Sequence, residues 1–247
     1  MNYPSNMLYA GALDAAARIY RLPALARQAR RVRATVRRQS FDGEFFVDNA
    51  VRENGALKAT RNRSEVGQYF AFFFGAASPE SHPELWRRLC ADFGPGRKAR
   101  GAFPEVHPAN AFIGNVLRLE LLSRGGRSRQ AVEESTGYLL YMAEKTGTLW
   151  ENDSTVASCN HGFASHAAHL LYRDALGIFR VDPVGRRIVL RFADLGLEWC
   201  RGAVPVPGGV VSLEWRRDGR TVRYRPGAPA GYAVEIENPE GLELVLE

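Results

Sequence analysis

The hydrophobic period of the chain changes once, at Gly177, and this change constrains the fold more than any other feature of the sequence. Before Gly177 the apolar residues recur at helical spacing, whereas after it they alternate with polar residues as in a half-buried strand. Helices and strands bury their apolar faces in separate layers. The sequence therefore predicts a mainly α protein, with a helical domain over 1–177 and a small antiparallel β-sandwich domain over 178–247.

The helical domain contains about seven predicted helices, each defined by the spacing of its apolar residues. One of them, 66–74, is apolar all round, as expected for a helix that is buried on every side. The predicted helices cover about 13–20, 25–38, 66–74, 81–93, 110–123, 130–145 and 162–175.

The connections between these helices alternate between short and long. Short connections lie near 21–23, 75–79 and 125–126, and long ones cover 40–63, 93–109 and 147–157. In up-and-down packing every second connection lies at the same end, so the long loops gather on one face. Because binding residues concentrate on loops that a rigid scaffold positions, we expect the functional site on that face.

The face on which the long loops gather carries carboxylates, arginines and an indole, a mixture that is typical of carbohydrate sites. These polar residues are Asp42, Glu44, Asp48, Arg61, Asn62, Arg63, Glu65, Arg97, Arg100, Glu105, His107, Trp150, Glu151, Asn152, Asp153, Asn160 and His161. From this set we predict that Arg63, Glu65, Glu105 and His107 contact the ligand.

The third long loop is the most informative for function. It contains the run TLWEND over 148–153, followed closely by SCNHG over 158–162. An aromatic platform, a carboxylate and an imidazole thus occupy one connection, where a polar ring can be stacked, gripped and attacked by an activated water. The loop therefore predicts a sugar site.

The charge balance does not favour a nucleic-acid partner. The formal net charge is +6, but it comes almost entirely from arginine, since Lys58, Lys98 and Lys145 are the only lysines. Such a bias is typical of genomic base composition. The arginines between 27 and 38 fit a solvated outer helix face.

The sequence gives no indication of a membrane partner and favours the cytoplasm. No apolar run approaches the roughly 18 residues of a membrane span, and the residues 1–4 lack the pattern of a signal peptide. Cys90, Cys159 and Cys200 are odd in number and widely spaced, which favours reduced thiols over a disulfide framework.

Two further site types are weaker. His166 and His169, with Cys159 and His161, invite a zinc site, but their spacing matches no standard site, so we predict no metal. Cys159 and His161 are also too close in sequence to face one another as a nucleophile and its base.

The order of these features resembles the C-terminal portion of bacterial α-L-rhamnosidases, inverting glycosidases built on a six-hairpin (α/α)6 barrel. The resemblance rests on TLWEND, on SCNHGFASH at the start of a helix, and on LYRDALGI followed by VDPVGRRIVLRF and a strand-rich tail. It covers nearly the whole chain, and its most specific part is the Trp-Glu pair followed by Asn-His-Gly. It implies a partial toroid of helical hairpins.

The resemblance also implies roles for individual residues. Glu151 corresponds to the general base, and His161 corresponds to a histidine that contacts the sugar. Beside them, Asn160 would hold hydroxyls and Trp150 would form the pocket wall. No cofactor and no metal is implied.

The chain departs from the family in lacking the first half of the barrel, which carries the general acid. Inverting hydrolysis needs a proton donor and a general base roughly 6.5 to 9.5 Å apart. Glu65 and Glu105 lie on the predicted site face, but nothing in their spacing selects either as the donor. No general acid is therefore identified in this chain.

Two functions follow as alternatives. The first is a glycoside hydrolase that acts on terminal rhamnosyl or similar bonds and that is incomplete, and inactive alone, without its other half. The second is a non-catalytic carbohydrate-binding or assembly module derived from such an enzyme. Because half a toroid exposes apolar helix flanks, we expect either form to associate with a missing N-terminal half or with a second copy as a homo-oligomer.

Overall fold

The computed structural model describes residues 1–247, and the chain divides into two compact units, Met1–Leu121 and Leu122–Glu247. This boundary lies within a helix, whereas the predicted change from helices to strands at Gly177 lies inside the second unit. Eight α-helices are present, one more than the approximate number predicted. None of them combines the length and the apolar character that crossing a bilayer requires.

The first unit opens with a helical hairpin of α1 (Tyr3–Ile19) and α2 (Pro23–Ser40). Each helix has a proline in its first turn, where a missing N–H removes no helical hydrogen bond. The two helices pack through a small apolar cluster that includes Ala10, Leu13 and Ala29. The arginines expected on an outer face are exposed at positions 27, 30, 31, 37 and 38.

The rest of the first unit places short strands inside the long connections, where the sequence predicted only loops. Its elements are β1 (Ala50–Glu53), β2 (Ala56–Ala59), β3 (Arg63–Ser64), α3 (Glu65–Phe73), α4 (Pro83–Ala91), α5 (Arg97–Arg100), β4 (Val106–His107) and the first part of α6 (Phe112–Arg124). Strands β3 and β4 pair in parallel, with Ser64 opposite His107. Ser64 also caps α3, because its hydroxyl oxygen accepts the N–H of Gly67 at 2.9 Å.

The second unit contains α7 (Ser128–Thr146) and a helical segment that ends at Gly177. The segment predicted as one helix over 162–175 consists of a 3-10 turn (Gly162–Ser165), α8 (His166–Leu170) and a π-helical turn (Leu171–Leu176). Within the π turn, the buried carboxylate of Asp174 accepts hydrogen bonds from the hydroxyls of Ser123 and Ser128 at 2.6 and 2.7 Å. Ser128 is the first residue of α7, and negative charge is favourable at a helix N-terminus.

Two sheets complete the second unit. One has the order β10 (Ala233–Glu237), β6 (Arg187–Arg191), β5 (Ile178–Asp182). The other has the order β11 (Glu243–Leu246), β9 (Thr221–Gly227), β8 (Gly209–Asp218), β7 (Trp199–Val206). Residues of both sheets form one buried cluster, to which Ile188, Leu190, Leu213 and Val222 belong. The helical part and the sheet part that the sequence predicts are thus both present.

The prediction of purely antiparallel sheets was wrong for two strands. β10 runs parallel to β6, and β11 runs parallel to β9. The chain leaves one sheet after β9, adds β10 to the other and returns with β11, so neither strand pairs with the strand before it in sequence. Alternating polarity shows which face of a strand is buried but carries no information on its direction.

Gly177 joins the helical segment to β5 at a point where the backbone of Arg191 passes close by. Its φ is +97°, and an added Cβ would lie 2.7 Å from the carbonyl oxygen of Arg191. We expect Gly177→Ala to lower the free energy of unfolding by about 2 kcal/mol or more, measured by urea denaturation. Gly208→Ala is the control, because φ there is +91° and the space around it is open. It should cost only the backbone strain, about 1 kcal/mol, and equal losses would contradict the close approach.

Candidate functional site

The loop between α7 and the 3-10 turn is closed on itself by backbone pairing. The N–H of His161 donates to the carbonyl of Leu149 at 2.8 Å, and the N–H of Glu151 donates to the carbonyl of Ser158 at 2.9 Å. The hydroxyl of Thr148 donates to the carbonyl of Cys159. The two arms of the loop therefore run side by side, and Glu151 and His161 become neighbours.

Glu151 and His161 form a partly exposed pair. Oε2 of Glu151 lies 3.9 Å from Nδ1 of His161, and the two side chains are 42% and 22% exposed. This distance exceeds that of a direct hydrogen bond, while the exposure leaves the carboxylate open to solvent. A carboxylate in this position can accept a proton from water. Nε2 of His161 is buried, so the imidazole meets a ligand through Nδ1, on the side of Glu151. Asn160, which immediately precedes His161, is exposed as well.

Trp150 does not form an open wall beside this pair, contrary to the prediction. Its side chain is 2% exposed. The indole Nε1 donates to the hydroxyl of Thr146 at 2.8 Å, and the ring meets Tyr141 edge-on with centroids 5.7 Å apart. A buried indole cannot stack on a ligand, so Trp150 fixes the start of the loop to α7 instead.

The exposed aromatic ring at the pair belongs to Phe163, which sequence reasoning missed. The centroid of its ring lies 5.4 Å from that of His161, and the residue is 68% exposed. The available signal was its position two residues after the histidine in the NHGF run. Phe163 therefore offers the apolar surface that the sequence assigned to Trp150.

The environment of the loop also affects Tyr141. Burial raises the pKa of its phenol above the ordinary value, and the carboxylate of Asp153 adds to the rise. Tyr141 therefore stays protonated and can act as a hydrogen-bond donor around neutral pH.

In the first unit, Arg63 is held by Asp42. Its Nη2 lies 2.5 Å and its Nε 2.9 Å from the same oxygen of Asp42, and its guanidinium lies 5.2 Å from the ring centre of Phe45. Burial raises the pKa of Asp42. Hydrogen bonds from the N–H groups of Phe45 and Glu44 and from Arg63 lower it by a larger amount, so the pKa of Asp42 is below its ordinary value. Arg63 is thus a partly exposed cation with a fixed orientation.

Glu65 is buried in an ion pair, which contradicts its prediction as a ligand contact. Its Oε1 lies 2.5 Å from Nε of Arg97, and the two side chains are 2% and 4% exposed. Its Oε2 accepts the N–H of Ala109 at 2.7 Å. A ligand in solvent cannot reach this buried carboxylate, so Glu65 can neither contact the ligand nor protonate a leaving group.

Glu105 and His107 are both exposed, as a role in binding requires. His107 lies near Asp48, whose carboxylate accepts the hydroxyl of Ser64 at 2.9 Å. Burial raises the pKa of Asp48, and the Ser64 hydrogen bond and the charge of His107 reduce that rise. The first unit therefore carries its own cluster of polar groups at the end of β4, and Glu105 precedes that strand.

The chain is similar to a solved glycosidase structure. The crystal structure of a GH78 family rhamnosidase of Bacillus sp. GL1 matches it with a TM-score of 0.83 and 19% sequence identity. The match covers 100% of this chain and 27% of that chain, so this chain spans a minor part of the neighbour's length. At this identity the likeness shows the fold alone: a rhamnosidase-like fold of one portion of that enzyme. No protein-family model and no curated protein matches the sequence.

The buried Glu65–Arg97 pair can be tested against an exposed pair. We expect Glu65→Gln to lower the free energy of unfolding by about 3 to 5 kcal/mol, because it leaves the Arg97 guanidinium buried without its counter-charge. Glu53→Gln is the control, since Glu53 pairs with Lys58 at 2.7 Å with side chains 52% and 62% exposed. That change should cost less than about 1 kcal/mol. Guanidinium chloride denaturation measures both, and a small loss for Glu65→Gln would refute the structural role.

Proposed function

We propose that this chain is the base-supplying portion of an inverting glycoside hydrolase that cleaves terminal α-L-rhamnosyl or similar glycosidic bonds. The observation that carries the proposal is the Glu151–His161 pair, with 3.9 Å between Oε2 and Nδ1. The likeness of the whole chain to part of a rhamnosidase supports the choice of substrate class.

In the proposed reaction, Glu151 takes a proton from a water molecule. The oxygen of that water attacks the anomeric carbon on the face opposite the leaving group, and the bond from this carbon to the glycosidic oxygen breaks. A general acid protonates the leaving oxygen, and the sugar is released with inverted configuration. We assign no residue of this chain as the general acid and propose that it lies in the part of the enzyme beyond the 27% that the chain matches.

The neighbours of Glu151 would orient the sugar. His161 would donate a hydrogen bond to a hydroxyl, and Asn160 would offer its amide to the next. Phe163, whose ring is close to that of His161 and open to solvent, would cover the apolar face of the ring. In the first unit we keep Arg63, Glu105 and His107 as proposed contacts, since all three are accessible to a ligand.

A partner for the chain is part of the proposal. Helix α1 and its C-cap residue expose several large apolar side chains, namely Leu8, Tyr9, Ile19 and Tyr20, with exposed fractions from 46% to 73%. An apolar helix surface of this kind favours association. We propose that the helical hairpins belong to an (α/α)6 toroid that an N-terminal half, or a second copy, completes.

The three free cysteines support a reducing cytoplasmic location.

A non-catalytic carbohydrate-binding module is the second candidate. It is favoured by the burial of Glu65, because this leaves the chain with one fewer carboxylate that could protonate a leaving group. In this case the Glu151–His161 pair would bind a sugar without cleaving it.

Turnover of 2,4-dinitrophenyl α-L-rhamnoside separates the two candidates, because this leaving group departs without being protonated and the assay therefore needs no general acid. If the chain is catalytic, Glu151→Gln should reduce kcat by roughly 10²- to 10⁴-fold, the range expected when a general base is lost. Asp153→Asn is the matched control, because it removes an exposed carboxylate of the same loop, and it should retain activity. Binding of L-rhamnose without turnover would support the module. Equal effects of the two substitutions would refute the role of Glu151.

The roles of the two aromatic residues can be separated in the same assay. We expect Phe163→Ala to raise KM or Kd for the rhamnoside by about tenfold, because the exposed ring covers the sugar, and to leave stability unchanged. Trp150→Phe should lower the unfolding free energy by about 1 kcal/mol through loss of the Thr146 hydrogen bond, with KM or Kd unchanged. The reverse pattern would restore Trp150 as the ligand platform.

A further inference from the structure

The outer face of the larger sheet carries a second feature of interest, far in sequence from Glu151. A groove of about 780 Å³ lies along the ends of β7 and β8, and Trp199, one of its lining residues, is 65% exposed. Large aromatic side chains are normally buried, and the other tryptophan of this groove, Trp215, is 5% exposed. The exposure of Trp199 therefore requires an explanation.

Strand register places polar groups beside Trp199. Trp199 is directly opposite Arg216, and Arg201 is directly opposite Glu214. Side chains that are opposite one another in an antiparallel pair point to the same face, as do side chains two residues apart on one strand. An exposed indole, two guanidinium groups and a carboxylate are thus side by side on the outer face.

The strand that carries Glu214 and Arg216 is anchored by hydrogen bonds of the alternate residues, whose side chains lie on its other face. Trp215 donates through Nε1 to the carbonyl of Leu176 at 2.8 Å. Arg217 is held by both carboxylate oxygens of Asp194, with Nη2 to Oδ2 at 2.8 Å, and its Nε donates to the carbonyl of Gly219 at 2.7 Å. Because the strand is already ordered by these bonds, binding on its outer face would cost little backbone entropy.

The charge of the groove identifies the class of ligand. Six of its nine lining residues are charged, and they comprise three arginines and three carboxylates. Glu214 is already paired with Arg225 at 2.9 Å, but a polyphosphate would still meet the carboxylates of Glu198 and Asp218, so nucleic acid is disfavoured. The centre of a protein interface is depleted in charged residues, so a protein partner is disfavoured too. Carbohydrate suits the mixture, since its hydroxyls both donate and accept and its ring has an apolar face.

We propose that this groove binds an oligosaccharide, with Trp199 stacked on a sugar ring and Arg201, Arg216 and Glu214 hydrogen bonded to its hydroxyls. The site is separate from the Glu151–His161 pair and needs no catalysis. The proposal therefore stands independently of the proposed hydrolase activity.

Native gel electrophoresis of the full chain, in gels cast with soluble polysaccharide, tests the proposal. The probes are the neutral polysaccharides galactomannan, arabinoxylan and laminarin, with single-stranded DNA as the polyanion. We expect retardation by at least one polysaccharide, and we expect Trp199→Ala to weaken that binding at least about tenfold. Arg216→Gln, a second variant on the same face, should weaken it as well. Retardation by none of the polysaccharides overturns the proposal.

The controls separate this groove from other sites. Val184→Ala removes an exposed apolar side chain of the same unit, 94% exposed, and should bind as the unaltered chain does. Glu151→Gln should also retain the binding, which distinguishes this site from the proposed hydrolase site. The interaction should change little between low and high salt, because the groove is charge balanced. Polysaccharide binding that Trp199→Ala leaves intact, or Trp199-dependent retention by DNA alone with a steep salt dependence, overturns the proposal.

Discussion

The backbone pairing across the loop at 148–161 is the constraint on which the candidate site depends. Two backbone hydrogen bonds join Leu149 to His161 and Glu151 to Ser158, and the buried Trp150 attaches the same loop to α7. Without this pairing, a carboxylate and an imidazole ten residues apart would sample many separations. With it, folding of the loop fixes the two side chains near one another before a ligand binds, as catalytic and binding groups require.

Buried charge gives the two units a shared principle of construction. In the first unit, Arg97 is enclosed with Glu65 and also donates to the carbonyls of Ala102 and Phe103 at 2.9 and 2.7 Å. In the second unit, Asp174 accepts from two serine hydroxyls and from Nε of Arg173 at 2.8 Å. In both cases a buried charged side chain holds neighbouring segments in place. Several partners use its hydrogen-bonding capacity, as the low dielectric of a protein interior demands.

The sequence was informative where a local pattern determines the structure. Apolar spacing predicted where the long helices lie, although α1 begins at Tyr3, ten residues before its predicted start. The Trp-Glu and Asn-His motif predicted that Glu151 and His161 belong to one loop. The sequence was uninformative where one residue type can either bind a ligand or anchor a loop in the core. Trp150 and Glu65 suit a sugar site and a buried anchor equally well, and only burial distinguishes them. The direction of β10 and β11 could not be predicted either, because polar and apolar residues alternate in the same way in parallel and antiparallel strands.

The strand order of the second unit has a consequence for how the protein folds. Arg187 of β6 pairs with Ala233 of β10, and Tyr224 of β9 pairs with Leu246 of β11. Each sheet is therefore completed only when its last strand, β10 or β11, has been synthesised. During synthesis, β6 and β9 present unpaired edges until those late strands arrive. Contacts between distant segments form slowly, and open edges invite pairing with other chains. The acquisition of β10 and β11 is therefore the interval in which this domain is most exposed to misassembly.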